Sequence, residues 1–259
     1  MSGSTGVMSV LLLETAAGGA AILWASGVWG QVRRGFFLLT GISLTLCALG
    51  AWALIAGAQV EPGLAAAASR AATGLAVFAG LLALWQVLLL VTPPAVSRVA
   101  GLVAAVAGLV ALVRLGLVRP SGAAGAIAGL LLGSVFLGST LFGLLLGHWY
   151  LVERRLSNVY MVRSAWWYAG GVLAAVAALV LSTTQPGELP TLELNPLLAI
   201  PGFSVLLAGG LVFICALIAG FVWRLAREGG RSIQAATGYF YLAVIMAFPA
   251  ELATKLRFF

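Results

Sequence analysis

The chain is built from apolar runs about as long as a bilayer is thick. Again and again along its 259 residues, a stretch of mostly uncharged residues ends at a cluster of Gly, Pro or Arg. A helix rises about 1.5 Å per residue, so about 20 apolar residues cross the hydrocarbon core. Inside lipid every backbone N–H and C=O must be satisfied within the protein, so such runs fold as helices. The sequence predicts an all-α integral membrane protein of about eight transmembrane helices, at 6–30, 36–58, 72–92, 99–118, 123–150, 165–184, 197–226 and 233–256, forming one polytopic membrane domain over 1–259. With 62% of residues hydrophobic and only 8% charged, against about a quarter charged in soluble domains, a water-soluble globule is excluded.

The charges that remain are unevenly placed. After spans one, three, five and seven lie Arg33, Arg34, Arg98, Arg154, Arg155, Arg163, Arg224, Arg227 and Arg231, offset by Glu153 and Glu228. The opposite side carries Arg70, Arg119, Lys255 and Arg257 with Glu61, Glu188 and Glu193. Positive-inside asymmetry puts the first group in the cytoplasm and both termini outside. The net charge of +7 is thus a matter of topology, and no nucleic-acid partner is expected. The N-terminus lacks a basic segment ahead of its apolar run, which predicts an uncleaved first span serving as anchor and signal. Residue usage rich in Ala, Gly, Leu, Val and Arg points to a bacterial inner membrane. The longer connections, 59–71 and 185–196 on one side and 151–164 on the other, are too short to hold an active site.

Eight spans invite a four-plus-four division. Aligning Arg33-Arg34 with Arg154-Arg155 lays span one over span five, and two halves of four spans would run parallel. Span five also carries a small-residue stripe of Gly125, Gly129, Gly133, Gly138, Gly143 and Gly147. Missing Cβ atoms let neighbouring backbones approach, so this span is expected at the centre of the bundle; the alternative use of such a flat stripe is space for a planar cofactor or a lipid-like ligand.

Charged residues within spans cost about 2.5–3.5 kcal/mol each at a helix centre. Glu14 in span one, Arg114 in span four and Glu251 in span eight fall at similar depth in the outer half of the membrane, and Lys255 lies one turn beyond Glu251. Two readings apply. One is a structural ion pair joining spans one, four and eight. The other is a proton- or quinol-binding site in which a glutamate accepts the proton and Arg114 tunes it. Pro249 is expected to kink span eight beside this region. Gln86, at mid-depth of span three, is expected to hydrogen-bond across helices.

The single histidine, His148, sits at the cytoplasmic end of span five beside Tyr150, and Gln234 opens span eight at the same level. His148 could contact a quinone, ligate a haem or chlorophyll-type pigment, or serve as an interfacial histidine among aromatics. One histidine cannot make a bis-histidine haem. Cys47 and Cys215 lie in apolar stretches, as packing residues do. Phosphate-binding loops, zinc-protease motifs and serine-hydrolase elbows are absent from the sequence.

In span number alone the chain resembles the membrane subunits of the polysulfide-reductase class, which pass electrons from a peripheral iron–sulfur protein to quinone; no site residue is carried over. The resemblance implies a subunit of an energy-converting, quinone-linked complex, acting as anchor or quinone contact, with protein partners docked on the basic cytoplasmic rim. The alternatives are a small secondary transporter or channel built on the outer Glu/Arg site, and a haem- or pigment-binding membrane protein built on His148.

Overall fold

A computed structural model describes residues 4–30, 32–57, 63, 65–118, 122–184 and 202–255. These fold into α1 (Ser4–Ser26), a 3-10 turn (Gly27–Trp29), α2 (Arg34–Ala56), α3 (Ala65–Val91), α4 (Pro94–Gly116), α5 (Ala123–Val152), α6 (Val159–Thr184), α7 (Phe203–Glu228) and α8 (Ser232–Lys255), with no strand among the described residues. All eight α-helices are long and apolar enough to cross a membrane.

Three helices begin earlier than hydropathy alone suggests. α3 starts at Ala65 and carries Arg70 in its second turn, α4 starts at Pro94, and α6 starts at Val159 with Arg163 already helical. Long basic side chains reach outward from a helix end, so a charge does not mark where the helix stops. Pro94 occupies the first turn of α4, where a missing N–H and a fixed φ cost nothing. Pro249 leaves α8 helical on both sides. The connection 185–196, the start of the seventh predicted span before Gly202, and Arg119, Arg257, Glu61, Glu188 and Glu193 lie outside the described residues.

The helices pack as two four-membered rings that share a seam. In the first, α1 touches α2 and α4, and α3 touches both of these; in the second, α5 touches α6 and α8, and α7 touches both of these. The seam is α1 against α5. These two are also the most buried spans, at 78% and 61% against 33–39% for the other six. Span five is therefore central as expected, and span one shares that place.

Glycine makes the seam possible. A Cβ on Gly18 would overlap the carbonyl oxygen of Ser134, and one on Gly138 would overlap the Gly18 backbone. Without a hydrophobic driving force between helices in lipid, such backbone-to-backbone contact is what holds them together. Hydroxyls near the seam stay local: Thr15 donates to Leu11 O (2.7 Å), Ser139 to Phe136 O (3.0 Å) and Thr140 to Phe136 O (2.7 Å).

At the arginine-rich end the rings are pinned by side chains reaching between helices. Trp24 Nε1 donates to Arg98 O (3.1 Å) and Arg98 Nη1 to Gly27 O (3.3 Å). Asn158 Nδ2 donates to Ala226 O (3.2 Å). Trp29 follows α1 in the 3-10 turn. It is buried in a box with Tyr160, Trp167 and Phe142, with ring centroids 5.4, 4.9 and 5.9 Å away.

A buried carboxylate–ammonium cluster as candidate functional site

The stripe on α5 does more than seat a helix. Opposite Gly129 and Gly133, α1 presents Glu14 and the last turn of α8 presents Glu251 and Lys255. Lys255 Nζ lies 2.9 Å from Glu14 Oε1 and 2.9 Å from Glu251 Oε1, and donates to Gly129 O at 2.8 Å. At these distances the two carboxylates hold the ammonium by charge-assisted contacts. Glu251 and Lys255 share a face because they are four residues apart, with the acid on the favourable, N-terminal side. A Cβ at Gly133 would stand 2.5 Å from Oε1 of both glutamates. The glycine is the space the carboxylates occupy.

All three side chains are sealed off, with exposures of 0% for Glu14, 2% for Glu251 and 3% for Lys255. Two carboxylates facing one ammonium leave one negative charge over. In a low-dielectric interior an uncompensated charge costs several kcal/mol, so the cluster calls for one more positive charge. Glu14 Oε2 has no hydrogen-bond partner among the described residues. Among the same residues, no group of three or more His, Cys, Asp or Glu could hold a metal ion.

Arg114 stands apart from this cluster. It is exposed in the last turn of α4, and its side chain passes Gly74 of α3, where a Cβ would meet Arg114 Cδ at 3.2 Å. The cation that meets the glutamates is Lys255. Depth along each helix brought Arg114 and the glutamates level, but depth says nothing about which way a side chain faces around its axis.

The second group of candidates does not form a single niche. His148 is half-buried, and both its ring nitrogens are engaged. Nδ1 lies 3.0 Å from Leu144 O, which can only accept, so Nδ1 carries the proton and Nε2 accepts from the Tyr241 hydroxyl. A ligand at either nitrogen would have to displace one of these partners, Leu144 O or the Tyr241 hydroxyl. Tyr150 is a tie for the turn into α6: its hydroxyl donates to Ser157 O (2.6 Å) and accepts from Met161 N (3.1 Å). Gln234 is exposed.

The remaining glycines of the stripe serve packing. Gly143 faces the Phe240 ring, Gly147 faces Thr237, Gly138 faces α1, and Gly125 is half-buried in the first turn. Gln86 crosses onto Gly41 of α2, where a Cβ would overlap its amide, but among the described residues neither amide atom finds a hydrogen-bond partner.

A feature at the arginine-rich end escaped the sequence reading. Between the start of α6 and the end of α7 opens a cleft of about 450 Å³, whose lining includes Arg163, Trp166, Trp223 and Arg227. The signal for it was an Arg–Trp pair at the facing ends of consecutive spans.

No protein-family model matches the chain, and no curated protein or solved structure shows significant similarity to it.

Proposed function

We propose that this chain is an integral subunit of a larger proton- and quinone-linked electron-transfer complex, and that the Glu14–Lys255–Glu251 cluster holds and hands on one proton. The observation that carries the reading is the odd charge of a sealed cluster: two carboxylates share one ammonium with almost no solvent exposure. A proton on one carboxyl balances it. A bare metal cation would need further oxygen ligands that are not gathered there. Lys255, bound also to Gly129 O, gathers both carboxyls at 2.9 Å from one ammonium.

The subunit role is supported by what lies between the cluster and the far end. Phe136, Phe142 and Phe240 are buried there at 1% exposure or less, and the neighbouring hydroxyls bond within their own helices. A transporter alternates access to both sides, whereas a subunit that exchanges a proton at one face needs only one. In this reading the two rings are parallel halves, the arginine-rich end faces the cytoplasm of a bacterial inner membrane, and that basic rim docks the redox partner. The second reading, a small secondary transporter, draws on the unpartnered Glu14 Oε2, which could receive a cationic substrate.

The test is mild-detergent extraction from native membranes followed by intact-complex mass spectrometry. The expected result is stoichiometric association with subunits that carry redox cofactors. A homogeneous lone chain or self-oligomer, free of such subunits, would overturn the subunit reading and leave the transporter.

A further inference from the structure

The cleft between α6 and α7 is unlike the rest of the arginine-rich end. Its two guanidiniums lie over aromatic rings: the Arg227 Cζ is 4.8 Å from the Trp223 ring centroid, and the Arg163 Cζ is 5.7 and 5.8 Å from those of Tyr160 and Trp29. A ring face attracts the cation, and the guanidinium N–H groups can still bind an oxyanion. Among the described residues neither arginine pairs with a carboxylate. The acid nearest in sequence, Glu228, is engaged by Arg224 (3.4 Å) and by the Ser232 hydroxyl (2.9 Å). Asn158 clamps the end of α7 against the start of α6 and so fixes the width of the cleft.

Next to the cleft the surface of the same two helices is open. Gly170 follows Trp166 by four residues on α6, and Gly220 precedes Trp223 by three on the oppositely running α7, so each lies one turn deeper on the same face. A Cβ at either would meet nothing within 4 Å. Beyond them Leu173 and Leu217 are exposed. The two arginines thus lie beside an open, uncharged surface one turn and more further along the two helices.

We propose that this cleft binds an anionic phospholipid, its phosphate on the N–H edges of Arg163 and Arg227 and an acyl chain over Gly170 and Gly220. Basic pockets between spans recognise anionic headgroups in this way. Trp166 and Trp223, in a T-shaped pair with centroids 6.0 Å apart, line the cleft beside the two arginines. The inference rests only on the helices crossing a bilayer, and not on a proton role or a redox partner.

The full chain, reconstituted in nanodiscs of equal phosphatidylcholine and phosphatidylglycerol and released intact into the mass spectrometer, reads the retained lipid directly. We expect phosphatidylglycerol to be retained in roughly tenfold excess. The excess should vanish in Arg163→Gln/Arg227→Gln and persist in Arg154→Gln/Arg155→Gln, which lowers the charge of the same face by as much outside the cleft. Gly170→Leu/Gly220→Leu, which nothing sterically opposes, should fold and retain less lipid. Equal retention of both lipids, or an excess untouched by the Arg163/Arg227 change, would overturn the proposal. So would loss of the excess on adding inorganic phosphate, which would mark a free-anion site. If the double arginine variant does not fold, the glycine pair and Arg227→Gln alone decide.

Discussion

Replacing Lys255 by methionine keeps the length of the side chain and removes the ammonium from between Glu14 and Glu251. At 2.9 Å and an effective dielectric constant of about 20, the lost contact to the ionised carboxylate is an attraction of about 6 kcal/mol before desolvation is subtracted. Removing one partner of a buried pair costs about 3–5 kcal/mol net, because the remaining charge stays buried; here, with one carboxyl protonated, one carboxylate is left without its cation. Lys255→Met should therefore lose about 3–5 kcal/mol of stability. Glu14→Gln acts in the opposite sense, since it leaves one carboxylate and one ammonium in balance; it should cost about 1 kcal/mol or less. The neutral triple variant Glu14→Gln/Glu251→Gln/Lys255→Met should recover much of the loss. The assay is the fraction of monodisperse protein surviving a temperature series in detergent. A Lys255→Met protein as heat-resistant as the parent, with Glu14→Gln the weakest of the set, would refute the charge argument.

Other expectations follow from single contacts. Gly18→Val drives a side chain into the Ser134 carbonyl across the seam and should cost about 3 kcal/mol or more, seen as loss of folded protein, whereas Gly210→Val, where nothing lies within 4 Å, should be tolerated. Tyr241→Phe removes the donor to His148 Nε2; stability should fall by about 1 kcal/mol, and mass-mapped carbethoxylation of His148 should rise. With Cys47 and Cys215 replaced, an impermeant maleimide outside spheroplasts should label Gly63→Cys and spare Arg155→Cys; the reverse pattern would invert the proposed orientation.

Much of this architecture is legible in the sequence because length and hydropathy decide what can cross a bilayer. Which helix faces helices and which faces lipid is less legible, since lipid tails are as apolar as leucine. For α5 the glycine spacing gave the answer. For α1 the matching signal was Ala16-Ala17-Gly18-Gly19-Ala20, a small-residue run that hydropathy averages away. The carboxylate cluster was half legible. Glu14 and Glu251 stood out as charges at depth, and the four-residue spacing of Glu251 and Lys255 already placed them on one face. Arg114 was drawn in only because depth along a helix was known and rotation about it was not. His148 looked available because its partner, Tyr241, is 93 residues away and is brought to it only by the packing of α8 on α5.

The central claim is that the buried cluster holds one proton on a carboxyl group. Infrared difference spectroscopy of the folded protein, recorded in water and in deuterium oxide, reads a protonated carboxyl directly through its carbonyl stretch. The account predicts one such band, shifted by deuterium, that disappears in Glu14→Gln or in Glu251→Gln while the bilayer-reconstituted protein stays folded. Its absence from the parent protein, or a band that persists unchanged in both variants, would contradict the account.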